Sequence, residues 1–214
     1  MHRTILRLTV PLAFAAALAA TACLPASAAT AGPAVRPSAA SVSGWARMAY
    51  GDPRDDVQVS VDARGLFRPR DAAPAPDRTT ALRSWGTFRI QHYSPAKDGR
   101  PASFNWGDFA VDCLRIDGTE VSVTGRLVDA GPAWKEFLDR GPLPARMGLS
   151  LHLPSPGDAD AARIGLIPPA PEGSPDIPKC RTALADAGLS AGGYAVTVGG
   201  NVAATPAEGR AATR

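Results

Sequence analysis

The chain has 214 residues, 23 Lys and Arg against 20 Asp and Glu for a formal net charge of +3, and 21 each of Gly and Pro. That length, with 45% hydrophobic residues, is enough for one domain with a substantial core. The near balance of charge argues against a nucleic-acid or polyanion surface, and the His and Cys residues do not recur at the short spacings of a zinc site.

Residues 1–28 read as a secretory signal peptide. His2, Arg3 and Arg7 give a basic start, and an apolar run from residue 8 to 22 follows. Ala26-Ser27-Ala28 then supplies small residues for cleavage after Ala28. The run falls short of the roughly 20 apolar residues that span a bilayer, and no later stretch approaches that length. The mature chain is therefore expected to carry no transmembrane segment. An alternative places a loose lipobox at Ala20-Thr21-Ala22-Cys23, with the protein anchored as a lipoprotein through Cys23. Removing Arg3 and Arg7 leaves 21 basic against 20 acidic side chains, a net of +1.

Residues 29–41 are mostly Ala, Pro, Ser and Gly, with one Arg, one Thr and one Val, the composition of a flexible linker. The folded part is expected over residues 42–200. Residues 45–50 form a weak first strand. Val57, Val59 and Val61 alternate with Gln58, Ser60 and Asp62, as a half-buried strand requires. Gly65 is a turn candidate, and residues 67–80 are too rich in Pro for a central strand. Phe88 and Ile90 mark a strand within residues 85–93, and Asp98-Gly99 marks a turn. Phe104-Asn105-Trp106-Gly107-Asp108-Phe109 mixes rings with hydrogen-bonding groups. Such a mixture suits a core strand edge, and equally a sugar face or binding groove.

The central hairpin is the clearest signal. FAVDCLRI precedes Asp117-Gly118, and TEVSVTGRLV follows. Asp and Gly as the two central residues predict a type I′ turn, since both tolerate positive φ. Val121, Val123 and Leu127 share one face of the second arm. Pro132 at a first helical position and Gly141 at the end predict a short helix, with Trp134, Phe137 and Leu138 on one side. Its expected place is across an open end of the β-structure. Met147, Leu149, Leu151 and Leu153 alternate with Arg146, Gly148, Ser150 and His152 in the next strand. Gly157-Asp158 is a turn candidate, and Ile164 and Leu166 start a run ending at Pro168. Residues 168–179 form a second Pro-rich loop. Tyr194, Val196 and Val198 make a last strand, and residues 201–214 read as a disordered tail.

The fold class is thus all-β, with about eight mostly antiparallel strands and one short helix, arranged as a barrel or a two-sheet sandwich. Without Cys23 the chain keeps Cys113 and Cys180, which in an oxidising compartment are expected to pair.

Groups for chemistry are sparse. Ser150, His152, Asp158 and Asp160 are close in sequence, but Ser150 and His152 stand about 7 Å apart on one strand face, too far for a nucleophile and its base. His152 and His92 are both read as surface residues. Asp55-Asp56 and Asp158-x-Asp160 match no calcium loop, and no phosphate-binding Gly motif occurs. No catalytic, metal or cofactor residue is assigned.

Residues 111–118 (VDCLRIDG) and 121–127 (VSVTGRL) resemble the centre of a family of small secreted β-proteins from high-GC Gram-positive bacteria, some labelled repetin. Gly86-Thr87-Phe88 resembles the strand that precedes this centre. Cys180 after a Pro-rich stretch and Gly192-Gly193-Tyr194-Ala195-Val196 resemble its close. The resemblance spans residues 85–198. It implies the fold and the bridge, and transfers no catalytic residue. Two segments depart from the pattern: the Trp-Lys-Glu-Phe-Leu stretch before Met147, and a shortened loop at Pro156-Gly157-Asp158. The resulting expectation is a secreted, non-enzymatic domain that binds an extracellular ligand or cell-envelope component. A carboxylate-dependent hydrolase and a protease inhibitor presenting a Pro-rich loop are the alternatives.

Overall fold

Apolar side chains at every second position drive most of this chain into strands, because period two puts them all on one face of a pleated ribbon. The structure, a computed structural model, describes residues 37–68, 79–139, 142–157, 161–199 and 201–206, the last six as backbone only. All belong to one compact unit, Val35–Arg214. The expected signal segment, the expected cleavage site and Cys23 lie outside the described residues.

Nine strands follow in chain order: β1 (Ser38–Met48), β2 (Asp56–Phe67), β3 (Arg83–Ser94), β4 (Ser103–Asp117), β5 (Glu120–Ala130), β6 (Arg146–His152), β7 (Arg163–Ile167), β8 (Ala187–Val198) and β9 (Asn201–Pro206). Each pairs antiparallel with the next, and β8 also pairs with β1. The first eight strands therefore close a ring of pairings within one sheet, and β9 pairs with β8 farther along the edge that carries β7. This places β1 four residues ahead of the expected boundary at Val42, and puts a strand at the start of the expected tail.

The ring interior is apolar. Val42, Val59, Phe88, Phe109, Leu114, Val123, Leu127, Leu149 and Leu151 are among its fully buried side chains. Phe88 and Phe109, opposite each other on β3 and β4, stack with centroids 4.6 Å apart. Gly125 on β5 leaves them room, since a Cβ there would lie 2.8 Å from Phe88 Cε1. Tyr194 is buried inside the ring, and its hydroxyl donates to the Val59 carbonyl at 3.1 Å.

Three local expectations need correction. The central turn is Gly118-Thr119, closed by the Asp117–Glu120 pair, so it sits one residue later than expected. Gly118 has φ of 61° and Thr119 is not in the positive-φ region, the pattern of a type II′ turn with Gly first. Gly65 lies inside β2 rather than in a turn. The helix is a 3-10 turn, Pro132–Phe137, pinned at both ends: Gly131 N–H donates to Trp106 O, and Phe137 O accepts from Ala145 N–H. Side chains three apart eclipse in such a helix, so Trp134 and Phe137 still both reach the core. The Asp98-Gly99 turn is present as expected, with φ of 51° and 76° at its two residues.

The two flanks of the ring differ. Alternation predicted a polar outer face for β6, yet Arg146, Gly148 and Ser150 are all buried. The cause is the β7–β8 connection, residues 168–186, which crosses the outside of β4–β7 as a strap. Ile177 of the strap and Ile167 of β7 are both buried, and a Cβ on Gly165 would collide with the Leu184 carbonyl. Over β1–β4 the outer face is uncovered by any described residue.

Candidate functional site

The strap is fixed by a polar network that begins at a β-bulge. Register along β4 and β5 shifts between Val111 and Cys113, so Asp112 is the extra residue. The bulge turns Cys113 outward while Val111 and Leu114 both stay in the core. Cys113 is bonded to Cys180, as expected, with Cα atoms 5.3 Å apart. Around this bridge Asp112 accepts from Thr124 Oγ1 at 2.8 Å and from Arg146 Nε at 2.8 Å. Arg146 also bonds Asp176 and the Ile177 carbonyl, and Arg126 holds Asp176 at 2.6 Å. Thr124 Oγ1 in turn accepts from Cys180 N–H, and Ser150 Oγ from Ala183 N–H. Arg146 is 7% exposed at its side chain, and a charge so buried must be paired. The network is committed to structure: each acceptor has a protein donor. An Arg inside the alternating apolar run of β6 was its only sequence signal.

The histidines are accounted for separately. His152 Nδ1 meets Glu120 Oε1 across the β5–β6 pair. The Ser150 hydroxyl is held by the strap; Asp158 and Asp160 lie outside the described residues. His92, expected on the surface, is half-buried at one end of the ring. Its Nε2 lies 3.2 Å from Asp55 Oδ2 and 3.0 Å from Ser94 Oγ. A catalytic relay needs serine and carboxylate on opposite ring nitrogens; here both approach the same one. Two acids on the nearby loop and strand are occupied as well. Arg47 bonds Asp56, and Arg54 with Lys97 bond Asp52, which holds both carboxyls below their ordinary value. Neither can donate a proton near neutrality. Among the described residues no three His, Cys, Asp or Glu side chains group as a metal site.

That same end of the ring is where concavity and apolar lining coincide. The last residues of β1, β3 and β7 and the first of β2, β6 and β8 surround a mouth opening into a cavity of about 620 Å³. Met48, Val57, Ile90, Trp134, Met147 and Leu166 line it. Tyr50, His92 and Asp186 add polar groups, and Tyr50 packs edge-on against His92 with centroids 5.2 Å apart. Trp134 enters from the 3-10 turn, over Gly107, where a Cβ would lie 2.9 Å from its ring. Its volume lies in the range of ordinary ligand pockets, and its lining combines apolar side chains with a few polar groups.

Compared with protein-family models, curated proteins and solved structures, the chain matches none. Among the described residues no helix is long and apolar enough to cross a membrane.

Proposed function

We propose that the protein is an exported binding domain that takes a small, largely apolar ligand into the mouth of the strand ring. The observation that carries this reading is the open pocket of about 620 Å³ beside Tyr50, Trp134, Leu166 and Ala187, floored by the buried Met48, Ile90 and Met147. Aliphatic, thioether and indole surfaces reward burial of apolar area at about 25 cal/mol per Å², and Met side chains adapt to differing shapes. Tyr50 and His92 at the opening suit one polar end of such a ligand. Export and the kinship with small secreted β-proteins rest on the residues quoted above. A protease-inhibitor loop would have to stand clear of the body, whereas Asp176, Ile177 and Cys180 of the strap are bonded down to β4–β6.

The test is titration of the folded protein with the apolar dye N-phenyl-1-naphthylamine, read as dye fluorescence. Gly51 borders the cavity and has nothing within 4 Å of its Cβ direction. Gly51→Trp should therefore fill the mouth without strain and weaken dye binding about tenfold or more. Absence of saturable binding to the parent protein, or equal affinity in the plugged variant, refutes the reading.

A further inference from the structure

A second surface is unused by the cavity: the open outer face of β1–β4. Strand register arranges its side chains as a grid. One row runs Trp45, Ser60, Arg89, Asp108, and the next runs Arg47, Gln58, Gln91, Trp106. Beyond them Asp56, Tyr93 and Phe104 form a third row, and on the other side Ser41, Arg64 and Trp85 close the grid. Trp85, Trp45, Tyr93 and Phe104 are 39%, 42%, 43% and 52% exposed. Aromatic residues usually bury their rings. Here four rings remain in solvent on one sheet face, and a fifth, Trp106, lies under the Arg89 guanidinium at 4.4 Å.

The polar groups between the rings are pre-set, most of them as ion pairs. Arg47 pairs with Asp56 at 2.7 Å, Arg64 with Asp62 at 3.1 Å and Arg89 with Asp108 at 3.0 Å. Gln58 is held between Trp45 Nε1 and Asp56. Three of the guanidinium groups are matched by three carboxylates, and Arg83, 5.8 Å over the Trp85 ring, adds a fourth cation, a field too small to select a polyanion. Planar donors and acceptors fixed beside flat rings match a partner with apolar C–H faces and many hydroxyls. At one corner the face deepens into a groove of about 670 Å³, walled by Trp85 and edged by Ser41, Ser43, Asp62, Arg64 and Thr197. Trp85 and Tyr93 are eight residues apart on β3, ~27 Å at strand rise, so the rings reach along an extended chain.

We infer that this face binds an uncharged polysaccharide lying along β3, with Trp85 and Phe104 as stacking platforms and the Arg–Asp pairs as hydroxyl partners. The surface is separate from the mouth cavity, and the two readings stand or fall independently.

Affinity electrophoresis in gels containing hydroxyethylcellulose, galactomannan, mannan or dextran, with alginate as the acidic control, tests this. Migration of the parent protein should be retarded by at least one uncharged polymer. Trp85→Ala and, separately, Phe104→Ala should weaken that retardation about tenfold. Raising salt from about 50 mM to about 500 mM should leave it unchanged. Gly51→Trp should bind the polymer normally, and Trp85→Ala should bind the dye normally. The proposal is overturned by no retardation in any uncharged polymer, by retardation in alginate alone that salt abolishes, or by parent-like retardation in both aromatic variants. It is overturned equally if sedimentation finds a dimer that Phe104→Ala dissociates, since the face would then be covered by a second copy.

Discussion

Tyr194 concentrates several demands in one side chain. Its ring fills the interior beside β1, and its hydroxyl satisfies the Val59 carbonyl. Burial pushes its phenol above the ordinary value of 10.0, because a phenolate there would lack the solvation it has in the unfolded chain. The sign follows from linkage. A raised folded value means stability is intact below pH 10 and falls as pH rises past it, since the unfolded chain loses the proton first. The limiting slope is about 1.4 kcal/mol per pH unit. Tyr194→Phe should cost about 1 kcal/mol at pH 7 through the lost hydrogen bond, and should then escape the alkaline loss. Urea midpoints of both proteins between about pH 7 and pH 11.5 check this. The gap between them should close above pH 10; a constant gap would mean the phenol does not govern the alkaline limb. At this scale the sequence was informative about burial and poor about partners. Val57, Val59, Val61, Phe88, Ile90, Val121 and Leu149 are all core, as period two demands. That Asp112 meets Arg146 across 34 positions has no local signature, because the bulge that turns Asp112 and Cys113 outward leaves the residue pattern unchanged.

Among the elements, most strands were legible because they carry their own alternation, β9 and the start of β1 being the exceptions, whereas the strap was not, because its role is to cover something else. Residues 168–186 have little apolar content of their own and hold their course through Ile177, the Arg126–Asp176–Arg146 bonds and the Cys113–Cys180 bridge. This explains why β6 departs from alternation: its polar residues face protein instead of water. The bridge closes 67 residues, which the chain-entropy model values at about 4 kcal/mol. A double variant, Cys113→Ser with Cys180→Ser, should therefore unfold at lower denaturant by up to that amount. Cleavage by a dilute protease should also appear first within residues 168–186, before any cut in β2 or β5, because the strap alone loses its covalent tie. Parent-like stability and cleavage would assign the hold to the ionic network instead. The 3-10 turn illustrates the converse limit. Its apolar spacing was visible, but its helix type was decided by the fixed gap between Gly131 and Ala145, both bonded to neighbouring elements.

The ring as a whole has one thin seam. β1 and β2 share eleven register pairs, whereas β7 and β8 share two, Arg163–Gly188 and Ile164–Ala187. Farther along the same edge of β8 its partner is β9, from residue 193 onward; among the described residues, positions 189–192 have no ladder partner there. The seam is short because the chain leaving β7 arcs over the outer face as the strap before returning as β8. Local stability follows the number of cooperating ladder bonds and the apolar area they shield, so the ring should open here first. The consequence for binding is direct: Leu166 and Ala187 lie on the two sides of the seam and both border the mouth cavity. Native-state hydrogen exchange should find the β7 amides and those of residues 187–190 exchanging well before the amides of the β4–β5 hairpin. Saturating N-phenyl-1-naphthylamine should slow the seam amides selectively, since a ligand that touches both sides stabilises only the closed ring. Uniform protection around the ring would show that the strap and its disulfide, rather than the ladder, hold β7 to β8. Slowing confined to another strand pair would place the ligand elsewhere than the mouth.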